Sequence, residues 1–266
     1  MRLATWNVNS LKARLERVER WIATVEPDVL CLQETKSTDD AFPAATFAAL
    51  GYETAHHGNG RWNGVAIVSR VGLEEERAGF HDDEAGSIEE CRILSARCGG
   101  VRVFSVYVPN GRVVGSEFYV AKLGWLRRLR AELDATADPA ADVAVCGDFN
   151  VAPEDRDVWD IARFEGMTHV TEPERAGLRE VEAWGLRDAV RELHPDEPGP
   201  FSWWDYRGGA FHKGEGMRID LALLSTGLAG RVRAAYVDRE ARKKGPGAET
   251  QPSDHAPVVV DIDPPG

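Results

Sequence analysis

The sequence lacks any run of about 18 apolar residues, the least that spans a bilayer as a helix, so no segment reads as membrane-spanning. The opening MRLATWNVNS reaches polar residues too soon for the apolar core of a secretory leader. Cysteine is scarce. The four present (Cys31, Cys91, Cys98, Cys146) are scattered, mostly within apolar runs, and no C-x-x-C occurs. That excludes a disulfide or zinc framework and predicts reduced, buried thiols in a cytoplasm-like compartment. A surplus of base is also missing: 32 Lys and Arg face 44 Asp and Glu, a net charge of −12. Taken alone, this balance argues weakly against a nucleic-acid partner. Low-complexity linkers and short repeats are absent too. With 266 residues and 43% hydrophobic content, the chain predicts one domain over 1–266 with a large core, and a monomer is the default.

The charge is nonetheless uneven. Residues 74–90 carry eight acids and one arginine, whereas KLGWLRRLR (122–130) carries four bases and no acid. Residues 231–244 hold six bases against two acids. A locally positive face on an acidic body therefore stays open. Taken singly, each run reads as a solvated face, and Lys122, Arg127 and Arg128 are expected at the surface.

Apolar periodicity alternates along the chain. RLATWNV, VLCLQE, GVAIVSR, RILSARC, VRVFSVYVP, VAVCGDFN, MRIDLALLS, AAYVDR and APVVVDI read as strands. Between them, Leu11, Leu15, Val18, Ile22 and Val25 share one helical face, with Ser10 as N-cap. SEFYVAKLGWLRRLRAEL predicts a long helix, and a second helical stretch is expected over 155–191. The pattern predicts an α/β fold, with mixed β-sheets packed on each other and helices outside.

Polar residues recur at the strand tips. TWN ends in Asn7, LQE in Glu34, and GDFN carries Asp148 and Asn150; VYVPNG sets Tyr107 beside Asn110. RID places Asp220 at the start of an apolar strand, and SDH places Asp254 and His255 before another. One such residue is an ordinary turn former. Six strands that each deliver one predict a convergent site, because strand ends along one edge of a sandwich meet in space. Clustered carboxylates repel unless a cation joins them. The oxygen donors Asn7, Glu34, Asp148, Asn150 and Asp254, beside His255, suit Mg²⁺ or Mn²⁺ better than zinc. The chemistry implied is metal-assisted hydrolysis of a phosphate ester. In it His255 faces a phosphate oxygen, Asp220 orients the imidazole, and Asp148 takes a proton from water.

Together WNVNSLKAR, LQETK, WNGVAIVSR, VYVPNG, GDFNVAP, FSWWDYR, GMRIDLALLS and SDHAPVVVD resemble the exodeoxyribonuclease III family, in order from residue 2 to residue 262. That family lies within the wider endonuclease/exonuclease/phosphatase superfamily. GDFN and SDH are shared across the superfamily; FSWWDYR ahead of RID, with Tyr107, is more specific. The resemblance implies a four-layer α/β sandwich and a Mg²⁺-dependent DNA-repair nuclease, acting on double-stranded DNA with abasic sites or blocked 3′ ends. It implies that Glu34 is the principal metal ligand with Asn7 and Asp254 nearby, and that Asp148 activates water or serves a second metal position. Asn150 and Tyr107 would hold the scissile phosphate, and Asp220 and His255 would form the pair at that phosphate. Trp203, Met217 and Ile219 would form an apolar pocket for a flipped abasic sugar, and Arg112 stands on a loop that enters the DNA groove. The chain departs from the family's pattern in three places. Ser10 replaces a usual glycine, the lead-in KKGPGAETQPSDH is long, and the region 82–92 is short.

Two rival functions share the same residues. A phosphatase of small phosphoesters is disfavoured by Tyr107, where such relatives carry histidine, and by FSWWDYR. A nucleic-acid-binding regulator without catalysis is disfavoured because every acid the chemistry needs is present.

Overall fold

The computed structural model describes residues 1–81, 90–244 and 251–264. Two six-stranded sheets stack face to face. The first runs in spatial order β13 (Val232–Val237), β14 (Val258–Ile262), β1 (Arg2–Asn7), β2 (Val29–Gln33), β4 (Val65–Ser69) and β3 (Glu53–His57). The second runs β5 (Glu74–Ala78), β6 (Ile93–Cys98), β7 (Val101–Tyr107), β8 (Val143–Asp148), β12 (Asp220–Ser225) and β9 (Leu186–Asp188). Among the described residues only β1–β2 and β7–β8 are parallel pairs, so both sheets are mixed. A two-residue hairpin, β10 (Trp203–Trp204) with β11 (Gly216–Met217), lies outside them.

Strand alternation sorts side chains between layers. In β1, Leu3 joins the core between the sheets, with Val29, Cys31 and Ile67 from its own sheet and Val103, Ala144 and Cys146 from the other. Ala4 and Trp6 point the opposite way, onto Leu11, Val18 and Ile22 of α1 (Leu11–Val25) and Phe47 of α2 (Ala44–Ala49). On the far side, Phe104, Val106 and Val145 meet Trp125, Leu126 and Leu129 of α3 (Glu117–Thr136) and Leu178 of α4 (Glu172–Glu182). The result is the expected four-layer α/β sandwich. Strands buried on both faces explain the near-continuous apolar runs, and each fully buried Val or Leu contributes about 1.5–3 kcal/mol. All four cysteines are buried thiols outside any disulfide among the described residues. Among the described residues, no helix is long and apolar enough to cross a membrane.

Several local expectations change. The stretch 155–191 is not one helix. It holds two short 3₁₀ turns, then α4, β9 and α5 (Ala189–Leu193). Its true helix start is Thr171, which forms a capping box with Glu174, while Asp188 ends a strand paired to Leu223 and caps α5. β5 carries no apolar period, because EEERA is exposed along its whole length; charge on a sheet edge guards against stray pairing. β3 is likewise absent from the predicted strands. Ser10 precedes α1 at φ 89° without a side-chain cap. That is glycine's territory, and the backbone N–H groups of Ser10 and Leu11 donate instead to the carbonyls of Glu34 and Thr35. In the two variant loops, residues 82–89 and 245–250 lie outside the described residues.

Candidate active site

Each sheet delivers half of a polar cluster at one edge of the sandwich. In the second sheet, Tyr107, Asp148 and Asp220 are direct cross-strand neighbours on β7, β8 and β12. Gly147 makes this close approach feasible: a Cβ there would lie 1.9 Å from the Val106 carbonyl oxygen. The first sheet supplies Asn7 at the tip of β1, Glu34 just past β2, and Asp254 and His255 just before β14. Ser253 ties these ends together. Its hydroxyl donates to the Asn7 carbonyl (2.7 Å) and accepts from the His255 backbone N–H (3.2 Å).

Asn7 is the hub. It is fully buried, and its Nδ2 donates to Glu34 Oε1 (2.8 Å) and Asp148 Oδ2 (2.9 Å). His255 Nδ1 lies 2.8 Å from Asp220 Oδ2, and its Nε2 lies 3.8 Å from Asp148 Oδ2. Burial opposes a charge on this imidazole, but the charge and hydrogen bond of Asp220, with Asp148 and Asp254, raise it to about 10. Both ring nitrogens then carry protons, which suits the ring to an anionic oxygen. Burial pushes the Asp148 carboxyl up to about 7; His255 pulls it down and Asp220 pushes it further up. Burial, and then the charges of Glu34 and Asp148, hold the Tyr107 phenol well above its ordinary range, so it remains an O–H donor. Arg92 stacks over its ring at 4.6 Å.

A carboxylate oxygen of Glu34, one of Asp148 and a ring nitrogen of His255 lie within 4.8 Å of one another; with both ring nitrogens protonated the imidazolium offers no lone pair, so the two carboxylates are the candidate ligands. Each carboxylate gives one oxygen to Asn7, while the other takes Lys36 Nζ in Glu34 (2.9 Å) and the Asn150 N–H in Asp148 (2.9 Å); the lone pairs left over are hard oxygen donors that fit a divalent cation. Two other expected ligands, Asp254 and Asn150, are engaged by protein partners. Asp254 accepts from Asn9 Nδ2 (3.0 Å) and Trp203 Nε1 (3.1 Å). Burial opposes its ionisation, but His255 and these two donors hold its pKa below the ordinary value. Asn150 donates through Nδ2 to the Val108 carbonyl (3.0 Å) and accepts at Oδ1 from Asn110 (3.1 Å). Its amide is thus turned toward the protein.

Trp203, Met217 and Ile219 do come together, with Ala152 and Val158 beneath. Met217 and Ile219 are buried, Trp203 is half-buried, and Phe164 and Val170, unread in the sequence, complete the patch. Arg112 is exposed and stacks 3.7 Å over Phe118. Lys122 corrects an expectation. It is fully buried and ion-paired to buried Glu174, and it donates to the Asn150 carbonyl (2.6 Å). Arg127 is exposed as expected, while Arg128 covers the Phe80 ring at 4.3 Å.

The family model for the endonuclease/exonuclease/phosphatase family matches residues 4–255. The chain belongs to that family. It is 32% identical to exodeoxyribonuclease III of Haemophilus influenzae over 271 residues, covering 98% of this chain and all of that one. An AP endonuclease from Archaeoglobus fulgidus superimposes with a TM-score of 0.93 at 36% identity, covering 99% of both chains. The 3′ phosphatase NExo from Neisseria, solved with a product DNA hairpin, gives 0.90 at 35% identity, again over 99% of both. This family member is a hydrolytic nuclease of the exodeoxyribonuclease III and AP endonuclease type.

Proposed function

We propose that the chain is a Mg²⁺-dependent DNA-repair nuclease working as a monomer in a cytoplasm-like compartment. It incises duplex DNA at abasic sites, removes nucleotides in the 3′→5′ direction and clears 3′ phosphates and other 3′ blocks; Mn²⁺ substitutes for Mg²⁺. The observation that carries this reading is a buried carboxyl, Asp148, set between Asn7 and the His255–Asp220 pair and beside Glu34. The names of the similar proteins, one of them solved with DNA, support the substrate class.

Glu34 and Asp148 would hold the cation, which supplies Lewis-acid polarisation of a phosphate oxygen when bound. The rest falls to the chain. His255 donates through Nε2 to a non-bridging oxygen while Asp220 fixes the ring through Nδ1. Asp148, set between Asn7 and His255, takes a proton from the attacking water. The Tyr107 hydroxyl donates to the charge that builds on the phosphate. The Trp203 patch receives a sugar turned out of the duplex, an extrusion that costs least where no base is stacked. A small-phosphoester phosphatase fits less well because position 107 holds tyrosine, and the complete set of acids disfavours an inactive regulator.

Product analysis on matched duplex, 3′-phosphate and abasic substrates tests this reading. Excess chelator should abolish all three activities and Mg²⁺ or Mn²⁺ should restore them, with Glu34→Ala needing far more metal. Full activity in excess chelator would overturn it.

A further inference from the structure

The backbone that carries Glu34 is held in an unusual shape. Glu34 (φ 52°) and Lys36 (φ 51°) both lie in the left-handed region, as does Asn63 (φ 60°) opposite them. Each non-glycine residue there is strained and persists only where its surroundings over-determine it. Thr35, between the two, is fully buried and bonded on every side. Its N–H donates to the Gly64 carbonyl (3.1 Å) and its carbonyl accepts from Leu11 (3.0 Å). Its hydroxyl lies 2.8 Å from His56 Nε2. Only glycine fits at position 64, since a Cβ there would lie 2.1 Å from that hydroxyl.

The contact continues outward. His56 Nδ1 lies 2.8 Å from Asp39 Oδ1, which also accepts from the Gly58 N–H (2.8 Å). A carboxylate only accepts, so Nδ1 carries the proton, Nε2 offers its lone pair, and Thr35 is the donor. The ring is stacked on Phe42 at 4.3 Å and 22°. Burial, its largest influence, pushes His56 below its ordinary pKa, in keeping with a neutral ring. The order hydroxyl, imidazole, carboxylate is that of a hydrolytic triad. A hydroxyl with no exposed surface cannot meet a substrate, however, so the three act on position rather than on chemistry.

We propose that Thr35, His56 and Asp39 form a positioning relay that locks the Glu34 backbone and thereby sets the affinity of the site for a divalent cation. This rests on the metal reading above. The relay fixes the residue between Glu34 and Lys36, so it governs both the ligand and the cation paired to it, Lys36 Nζ at 2.9 Å from Glu34 Oε2. Partners one bond removed from a metal ligand typically alter affinity 10–100-fold.

The test is Mn²⁺ binding to the full chain without DNA, read from the free-ion electron paramagnetic resonance signal. Thr35→Val keeps the shape and removes the donor; its dissociation constant should rise about 10-fold. Thr35→Ser keeps the hydroxyl and should stay within about twofold of the native value. Asp39→Ala cuts the relay at its exposed end, where folding is least at risk, and should weaken binding about threefold or more. Native-like binding by Thr35→Val or by Asp39→Ala overturns the relay, as does an equal loss in Thr35→Val and Thr35→Ser, which would mean packing alone. If the native chain binds no Mn²⁺, the metal reading falls and the relay with it; if it binds and Thr35→Val binds equally, only the relay falls.

Discussion

Two buried charge clusters sit almost side by side, and they are built by opposite rules. Arg218 is fully buried, two residues ahead of Asp220. It donates through Nε and Nη2 to Asp157 (2.7 and 3.2 Å) and through Nη1 to Asp188, while Arg191 also pairs with Asp157. Two guanidiniums thus meet two carboxylates. Burial works against the Arg218 charge, but Asp188 and Asp157 raise it far above its ordinary value. At the strand tips, the ion pairs that Glu34, Asp148 and Asp220 make among the described residues are to Lys36 and the His255 imidazolium, and Asp254 lies alongside on the Trp203 indole. Negative charge is in surplus, and Asp220 Oδ1 has no hydrogen-bond partner among the described residues. A buried ion cluster that serves the fold is balanced; the cluster at the strand tips is short of positive charge, as the proposed metal reading requires.

Arg218→Met should break the comparison most forcefully. It strands Asp157 and Asp188 without their main partner, and uncompensated buried charges cost about 3–5 kcal/mol. For a chain of this length that is a fall in melting temperature on the order of 10 °C, readable by calorimetry. Asp148→Asn should do the reverse. Turnover falls at least ~100-fold with loss of the general base, while DNA affinity holds or tightens and the melting temperature moves less than in Arg218→Met. Parallel loss of binding and turnover would assign Asp148 to scaffolding.

Trp203 sits where the two clusters meet, with Nε1 on Asp254 and its ring on Met217 next to Arg218. Trp203→Ala should lower abasic-site incision ~10-fold, the scale of a lost aromatic contact, with much less effect on a 3′-phosphate substrate. Trp203→Phe, which keeps a ring and drops the bond to Asp254, should cost only a few-fold, about one neutral-to-charged hydrogen bond's partial loss. A uniform loss across substrates with a large stability drop would make Trp203 core instead.

The strand tips were legible because a polar residue closing an apolar run is a local signal. Asn7, Glu34, Tyr107, Asp148, Asp220 and His255 all reach one place. The sandwich was legible for a similar reason: its strands are buried on both faces and read as unbroken apolar runs. Partnership at a distance was not legible. Lys122 lies among Arg127, Arg128 and Arg130 and reads as a basic surface; only Glu174, 52 residues on, brings it inside. Arg218 looks like one more charge until Asp157, 61 residues earlier, claims it. His56 carried no signal, since its meaning depends on Thr35 and Asp39 folding back over it. Ser10 could be flagged by sequence as a departure, but its φ of 89° could not.

The pairing of β1 with β14 joins opposite ends of the chain, Thr5 against Val258 and Arg2 against Asp261. Because β14 lies between β13 and β1, it enters the sheet as an interior strand. During synthesis, β1 must therefore wait with one side unpaired until some 250 further residues have been made, and contacts of such separation form slowly. Asp254 and His255 arrive with that same closing strand. On the proposed reading, a nascent chain on the ribosome thus holds Asn7, Glu34 and Asp148 before the pair that would complete the hydrolytic centre. The proposed cutting activity would then appear only once the first sheet has closed.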